Sequence, residues 1–288
     1  MRYQLTQIIH RGPNRDDHKS DICTIAGLVG GNGKTGPTID LLVVPWSTVK
    51  AVRSVPSGLH ATAYTKAYVG DLKTEIGDVC GSCILSGMVA DAKRVQLKLK
   101  KCYAQHNFQN AMQPTAMVRA TSGDGPARGT FDADAWGKIL VAAGLLGIER
   151  IRSAVAGDLG MLPERIATEL INATPQEWDW LGYTHQWHRS PWLKGTHMAS
   201  TQGAWSAAES ATRRGWRPFH VQPVHLPIPE SAEFTVCPAQ MAKARGLAAS
   251  CAGCSVPCNG TRSSHGATVT IDHGPGARWK THSVFNVA

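Results

Sequence analysis

The stretch that decides the predicted fold begins DADAWGKILVAAGLLG at 132–147 and continues with IRSAVAGD at 151–158. The first segment has the length and apolar content of a buried helix, with Asp132 placed to cap its start. The second reads as a short apolar strand that ends in Gly-Asp. The same alternation continues, with predicted strands over 115–121, 179–185, 195–200 and 217–221 and predicted helices over 162–172 and 202–214. Strand–helix units with short connections predict parallel strand pairing and right-handed crossovers.

These repeated units place the chain in the α/β class. The predicted architecture is a partial parallel (β/α) barrel-like core, and a doubly wound sheet is the alternative. We expect an N-terminal segment over 1–112, the β–α core over 113–235, and a cysteine-rich metal-binding tail with a basic C-terminal segment over 236–288. Residues 1–36 are expected to be irregular, and an apolar strand is expected over 39–44.

The glycine-rich segment GLVGGNGKTG at 27–36 resembles the end of a phosphate-binding loop, since Gly33-Lys34-Thr35 matches its G-K-T. The first glycine of G-x-x-x-x-G-K-T would have to replace Leu28, and the segment precedes a strand instead of following one. A turn or a substrate loop is therefore the preferred interpretation.

Polar residues follow several predicted strands at their carboxyl ends, where the active sites of parallel α/β folds lie. Asp124 and Asp158 each follow a glycine at such an end, and His185 closes another strand. These three are the candidate catalytic residues, and the two aspartates are expected to share one cavity near Cys80 and Cys83. The alternative is that both aspartates cap turns or the next helix.

Composition excludes two classes of protein. The 288 residues are 42% hydrophobic and 18% charged, so the chain is too apolar for a disordered protein and too polar for a membrane bundle. No stretch approaches the ~20 consecutive apolar residues of a membrane helix. The opening residues MRYQLTQIIHRG lack the apolar segment of a secretory signal, so we expect a cytoplasmic protein with no membrane partner.

Seven of the eight cysteines fall into two groups. The groups are Cys80, Cys83 and Cys102, and then Cys237, Cys251, Cys254 and Cys258. Each contains a C-x-x-C, which in a cytoplasmic protein indicates metal or redox chemistry more often than disulfides. The eighth, Cys23, is isolated and is predicted to lie in the core.

The second group suits a closed metal centre. Two residues between Cys251 and Cys254 let both sulfurs turn toward one ion, and Gly253 and Pro257 suit the tight turns that this requires. With Cys237, four thiolates complete either a tetrahedral zinc site or an iron–sulfur cluster. The compact spacing favours the cluster, and zinc stays the alternative.

The first group has three cysteines, which leaves one position open for another ligand. His106 lies four residues after Cys102 and would complete a zinc site of three cysteines and one histidine if both shared a helix face. The alternatives are that His106 is a surface residue and that Cys83 and Cys102 are buried apolar residues.

Several motifs together resemble a known group of proteins. They are GNGKTG, C-x-x-C, a later Cys-Tyr-Ala, Gly-Asp at strand ends, GYTHQW at 182–187, and Cys-Pro with a C-x-x-C tail. Over about residues 31–260 the chain is similar to cysteine-rich phage and plasmid proteins. These are similar in turn to phage proteins suspected of being divergent radical-SAM-like (β/α) barrel proteins, relatives of the radical S-adenosylmethionine enzymes.

This resemblance implies two bound groups. One is a [4Fe–4S] cluster on the first cysteine group, and the other is S-adenosylmethionine bound beside it. The implied residues are Cys80, Cys83 and Cys102 for the cluster, and Tyr103, Ser122 and Gly123 for the cofactor. The second cysteine group would then resemble the tail that binds an auxiliary cluster.

The net charge of +9 suggests a different partner, single-stranded nucleic acid. Basic residues concentrate over 93–101, and tryptophan and tyrosine alternate with histidine and arginine over 178–192. Basic side chains contact phosphates, and aromatic rings stack on unpaired bases. The alternative for each stretch is structural, namely a solvated helix face and tryptophans packed against a helix.

Two functions therefore stay open. One is a metal- or iron–sulfur-binding phage- or plasmid-type protein that acts as a divergent radical-SAM-like enzyme. The other is a zinc-bound, non-enzymatic nucleic-acid-binding protein, for example in phage or plasmid replication. The identity of the metal separates them, because an iron–sulfur cluster colours the protein and zinc does not. The sequence predicts neither the substrate nor the oligomeric state.

Overall fold

The computed structural model describes residues 3–16, 20–28, 35–68, 108–153, 155–248, 250, 251, 254, 258–260 and 266–271. Contacts divide the chain into two units, Met1–Gly31 with Pro37–Asp179 and Asn32–Gly36 with Trp180–Ala288. This division falls elsewhere than the boundaries expected after residues 112 and 235.

Six strands form a mixed sheet, most of it in the first unit. They are β1 Thr6–Pro13, β2 Asp21–Leu28, β3 Ile39–Pro45, β4 Thr130–Phe131, β5 Arg150–Arg152 and β6 Asp179–Leu181, and their order in the sheet is β4-β1-β2-β3-β5-β6. β1, β2 and β3 pair antiparallel in turn, whereas β3 pairs parallel with β5. The sheet of the first unit therefore combines antiparallel and parallel pairing, whereas the sequence predicted parallel pairing alone.

Strands β1 and β2 correct the sequence-based prediction of irregular structure over 1–36. β2 reads DICTIAGL, and every residue after the first is buried, so the alternation that marks a surface strand is missing. Cys23 lies in β2 with no exposed surface, and burial raises its pKa to about 12. Its predicted place in the core is confirmed, and β3 confirms the strand predicted over 39–44.

The helices of the first unit are α1 Trp46–Arg53, α2 Phe108–Ala120, α3 Ala133–Leu145 and α4 Glu164–Asn172, and residues 61–68 are also helical. α3 confirms the predicted helix, since the Asp132 carboxylate accepts a hydrogen bond from the Ala135 N–H at 2.9 Å. α4 follows Pro163, close to the predicted start. No helix in the described part of the chain is long and apolar enough to cross a membrane.

The segment over 115–121 lies mostly in α2, so the strand predicted there is wrong. Met117 and Val118 are fully buried within this helix. A short apolar run has no periodicity that separates a strand from a buried helix, and here packing decides. As a consequence, the polar residues at 122–124 follow a helix and not a strand.

A buried ion pair joins β3 to β5. The Arg152 guanidinium donates from Nε to Asp40 Oδ1 at 3.1 Å and from a terminal nitrogen to Oδ2 at 2.9 Å. Asp40 has no exposed surface and also accepts hydrogen bonds from the hydroxyls of Thr38 and Tyr3. The Gln113 amide is a further donor. These donors offset the cost of removing the Asp40 carboxylate from water, and losing one of them leaves buried charge uncompensated.

The second unit contains a five-stranded parallel sheet. Its strands are β7 Tyr183–Thr184, β8 Met198–Gln202, β9 Pro218–Gln222, β10 Phe234–Val236 and β11 Ala267–Ile271, in the sheet order β10-β11-β9-β8-β7. Every neighbouring pair is parallel. Helices α5 Ser206–Arg213 and α6 Pro238–Ala244 follow β8 and β10. The parallel pairing predicted for this part of the chain is confirmed.

The strand predicted over 179–185 is two strands. Gly182 separates β6 from β7, and these strands belong to different sheets. Neither sheet closes on itself within the described residues. The α/β class is thus confirmed, and the partial barrel is not.

Candidate metal centre

Cys237 is held at the carboxyl end of β10. Its N–H donates to the Val269 carbonyl of the neighbouring strand β11 at 2.8 Å. Pro238 then begins α6, since a proline is well tolerated at the first helical position. Cys237 is buried at this junction. Strand pairing on one side and a helix start on the other fix its backbone.

Backbone hydrogen bonds involve the three described cysteines that follow Cys237. The Cys254 N–H donates to the Cys251 carbonyl at 3.3 Å, as expected for the tight turn of a C-x-x-C. The Gly182 N–H donates to the Cys258 carbonyl at 3.2 Å and joins the end of the segment to the residue before β7. Residues far apart in the sequence are thereby brought to one sheet.

Arg217 holds the backbone that follows the last cysteine. It is only 3% exposed, and its guanidinium donates to the carbonyls of Asn259 and Gly266 at 3.4 and 3.3 Å. It also donates to the Thr268 hydroxyl in β11 at 3.1 Å. One side chain thus joins the end of the cysteine segment to the start of strand β11.

Gly260 allows this segment to pass close to the turn before β8. A Cβ at this position would lie 2.2 Å from the Lys194 carbonyl oxygen and 2.5 Å from that of His197. Any larger residue would push two backbone segments apart. The need for glycine here is therefore steric.

The other cysteines of the second group act electrostatically on Cys258. The pKa of its thiol is raised to about 11, first by burial and also by three neighbouring thiolates. Those thiolates belong to Cys237, Cys251 and Cys254. The Tyr183 hydroxyl has the opposite effect, because it donates a hydrogen bond to the Cys258 sulfur and so favours the thiolate. Cys258 is therefore within electrostatic range of the other three cysteines.

Tyr183 and Arg217 are the polar side chains that accompany these sulfurs. Burial raises the pKa of Tyr183 well above its ordinary value, and the Cys258 thiolate adds to the effect, so the phenol stays protonated and able to donate. Burial lowers the pKa of Arg217, and the Cys258 and Cys254 thiolates oppose that change. The Tyr183 ring packs against Phe219, with ring centres 4.3 Å apart. A donor and a cation thus face the cysteine group.

The five cysteines that the structure describes form no disulfide. Within the described residues, no three or more histidine, cysteine, aspartate or glutamate side chains are arranged to hold a metal ion. The four sulfurs are thus neighbours without a completed coordination shell. As a donor set they fit a metal, because four thiolates are the ligands of structural zinc and of a [4Fe–4S] cluster.

His185, a predicted catalytic residue, pairs with a serine in the second sheet. Its Nε2 lies 3.1 Å from the hydroxyl oxygen of Ser200. Ser200 is opposite Phe219 in the register of β8 and β9, and the Phe219 ring contacts Tyr183. The pair therefore lies on the sheet face that carries Tyr183. A histidine at this distance can accept the proton of a serine hydroxyl.

The two aspartates predicted at one rim lie in different settings. Asp124 follows α2, its side chain is 84% exposed, and it lies 3.9 Å from Arg53. Asp158 is buried and caps the short 3-10 turn Leu159–Met161, where its Oδ1 accepts the Gly160 N–H at 2.8 Å. The argument from strand ends is wrong for Asp124, because a helix precedes it. Asp158 matches the capping alternative.

The residues implied for S-adenosylmethionine do not fit that role where the structure describes them. Ser122 and Gly123 form an exposed turn after α2, and the Gly123 carbonyl accepts a hydrogen bond from Arg53 at 2.7 Å. This is a surface turn after a helix and not a glycine-rich strand end. The remaining residues of that prediction, Cys80, Cys83, Cys102, Tyr103 and His106, lie outside the described residues.

The aromatic stretch over 178–192 is partly structural. Trp178 and Trp180 are 9% and 7% exposed, so neither presents a face on which a base could stack. Trp187 is half-buried, and the Arg214 guanidinium lies 5.6 Å from its ring centre. The basic stretch over 93–101 lies outside the described residues.

Sequence reasoning missed Tyr183, Arg217 and Ser200. Tyr183 stood out only as part of GYTHQW and of the aromatic stretch over 178–192, with nothing to connect it to a cysteine tail. The one local signal for Arg217 is its place between Trp216 and Pro218, at the start of an otherwise apolar strand. A buried arginine in such a position needs several acceptors, and the cysteine segment supplies some of them.

Comparison with protein-family models, with curated proteins and with solved structures gives no match for this chain. The site is therefore interpreted from its own geometry.

Proposed function

We propose that the protein binds a metal centre, either an iron–sulfur cluster or zinc, through Cys237, Cys251, Cys254 and Cys258. The observation that supports this most directly is that Cys237 and Cys258 are each joined by a backbone hydrogen bond to the parallel sheet of the second unit or to the residue next to it. Cys237 lies at the end of β10, and the other three cysteines belong to a separate segment. A hydrogen bond from Gly182, next to β7, and the Arg217 side chain, which also binds Thr268 of β11, hold the end of that segment. A shared metal would give these two parts of the chain a common ligand.

The electrostatics of the group also support a cation. Thiolates that lie close together repel one another, and burial makes each negative charge more costly. A bound metal ion removes both costs, because it neutralises the thiolates that hold it. The Tyr183 hydroxyl would then act as an outer donor to the Cys258 sulfur, and such donors orient and tune metal ligands.

The compact C-x2-C-x3-C spacing favours an iron–sulfur cluster over zinc. The finer proposal, a divergent radical-SAM-like enzyme on a partial barrel, has one supporting feature in the described residues, the parallel sheet of the second unit. The reacting cluster of such an enzyme would be held by Cys80, Cys83 and Cys102. When bound, it would supply one-electron chemistry.

The test is metal analysis of the intact protein purified without oxygen. We expect zinc, or iron with acid-labile sulfide and broad visible absorption. Because two cysteine groups contribute, two variants are compared, one with serine at the four positions of the second group and one with serine at Cys80, Cys83 and Cys102. The second-group variant should lose one metal centre per chain, and a Cys23→Ala control should lose none. Equal metal content in the wild type and the second-group variant would overturn the proposal.

Single-stranded nucleic-acid binding is the second candidate, and one surface favours it. Trp187 is half-buried beside Arg214, while His188, Arg189 and Arg213 are exposed. A ring flanked by cations suits one stacked base and its phosphates. Titration of a labelled oligonucleotide at several salt concentrations tests this, and a Trp187→Ala variant should weaken binding by about 1–3 kcal/mol at every salt concentration. Absence of saturable binding at low salt would exclude it.

A further inference from the structure

A cavity of about 510 Å³ opens beside the start of α1 in the first unit. Its side chains come from β1, β2 and α1 and from the loop before β4. The lining residues used below are Arg11, Asp21, Trp46, Ser47, Lys50 and Arg128. This volume is within the ~300–1,000 Å³ range of small-molecule sites.

The cavity has an excess of positive charge. Among the described lining residues, three cationic side chains, Arg11, Lys50 and Arg128, face a single carboxylate, that of Asp21. Arg128 Nε donates to Asp21 Oδ1 at 2.7 Å, while Arg11 Nε is 3.8 Å from Oδ2. Lys50 is exposed and forms no ion pair with any residue that the structure describes. A ligand with negative charge would balance this excess.

Arg11 is positioned before any ligand arrives. Its guanidinium carbon lies 4.4 Å from the centre of the Trp46 ring, a cation–π contact that holds the side chain over α1. Arg11 belongs to β1, where it is paired in register with Cys23, so its backbone is rigid. Its Nε is buried and has no hydrogen-bond partner among the described residues. The side chain as a whole is 29% exposed, so the rest of the guanidinium is available to a ligand.

The other polar groups of the cavity are also donors. Ser47 contributes a hydroxyl, and α1 begins at Trp46 without a side-chain cap. Planar guanidinium groups match the oxygens of a phosphate, and a lysine adds a mobile point charge. An apolar ligand would not balance the positive charge of the cavity.

We propose that this cavity binds the phosphate group of a phosphorylated small molecule, with Arg11, Lys50 and Arg128 as the phosphate contacts. The remaining volume accommodates the body of the molecule. The proposal is independent of the metal centre, because it rests on side chains of the first unit alone. It differs from the nucleic-acid proposal in requiring a free, compact ligand.

The test is calorimetric titration of the full-length protein at low salt with four probes: inorganic phosphate, adenosine monophosphate, adenosine and a short single-stranded oligonucleotide. Phosphate and adenosine monophosphate should bind saturably, and adenosine should not. Lys50→Ala and Arg128→Ala should each weaken binding of adenosine monophosphate about tenfold, as expected for the loss of one charge-assisted contact. Both side chains are exposed, so the fold is retained.

A matched control is Lys138→Ala, which removes an exposed lysine of α3 that does not line the cavity. This variant should bind adenosine monophosphate as the wild type does. Three results would overturn the proposal: no binding of either phosphate probe, equal binding of adenosine, or equal weakening by Lys138→Ala. Binding of the oligonucleotide alone would also overturn it and would point to a strand-binding surface.

Discussion

The hydroxyl of Tyr183 donates a hydrogen bond to the sulfur of Cys258. Tyr183 begins β7, an edge strand of the parallel sheet. Cys258 is the last cysteine of the second group and lies far from Tyr183 in the sequence. The bond favours the thiolate at Cys258, and the thiolate is the form that binds metals. This contact is the most direct link between the sheet and the proposed metal centre.

Tyr183→Phe should weaken metal binding while the fold is retained. The ring stays packed against Phe219, but the outer donor to the Cys258 sulfur is lost. Loss of such a donor typically lowers metal affinity about 10–100-fold. Competition with a chelator measures this change. Tyr64→Phe is the matched control, because the Tyr64 hydroxyl donates to the Pro56 carbonyl in the first unit. Equal affinities of the wild type and Tyr183→Phe would show that the hydrogen bond has no role in binding.

Cys254→Ala should lower the melting temperature of the metal-loaded protein sharply. Metal binding contributes to the free energy of folding wherever the site forms only in the folded state. Chelator treatment should lower the melting temperature of the wild type to that of Cys254→Ala. Scanning calorimetry with and without chelator measures both. Cys23→Ala should lower the stability equally in the two conditions, since its site is an apolar core. Unchanged melting together with unchanged metal content in Cys254→Ala would contradict the proposed site.

Arg152→Ala should destabilise the first unit by about 3–5 kcal/mol, because it leaves the fully buried Asp40 carboxylate without its bidentate partner. Urea unfolding measures the free energy of unfolding. Glu169→Ala provides the comparison, since it breaks an exposed pair with Arg165 on α4 and should cost about 0.5 kcal/mol or less. Similar costs for the two variants would mean that other donors compensate at Asp40.

His10 should make the first unit less stable in acid. Burial, assisted by Arg165, lowers the pKa of this imidazole to about 4, although Asp21 acts in the opposite direction. Between about pH 6.5 and pH 4 the unfolded chain binds a proton here and the folded protein does not, so stability falls as the pH falls through this range. The contribution is up to about 3 kcal/mol.

Urea unfolding of the wild type and a His10→Leu variant at several pH values isolates this effect. The His10→Leu variant should lose the part of the acid sensitivity that protonation of His10 causes. Leucine is a suitable replacement, because the buried ring nitrogens of His10 have no hydrogen-bond partners within the described residues. His60→Gln, at an exposed position, should leave the pH dependence unchanged. Identical pH profiles for the wild type and His10→Leu would rule out His10 as the source.

Local patterns predicted the elements whose signals are complete within a short segment. α3 has a capping aspartate followed by a long apolar stretch, and its boundaries match the prediction closely. β3 is an apolar run interrupted only by Asp40, and every residue of it is buried, which is typical of a buried strand. In each of these, neighbouring residues carry the whole signal.

Other elements depend on what packs against them. The segment over 115–121 has strand-like composition but is helical, and the buried β2 lacks the alternation by which a strand is recognised. GYTHQW gave no indication that Gly182 separates two sheets. Short apolar runs are compatible with either structure, so tertiary burial selects between them.

The sequence by itself determined the α/β class, the excess positive charge and the grouping of the cysteines. Only the tertiary structure decided that Tyr183 and Arg217 would meet the cysteine segment, and that Arg11, Lys50 and Arg128 would face one cavity. Periodicity and motif spacing are properties of neighbouring residues. A site assembled from separate strands depends instead on strand order and register, which are set by burial of the whole sheet.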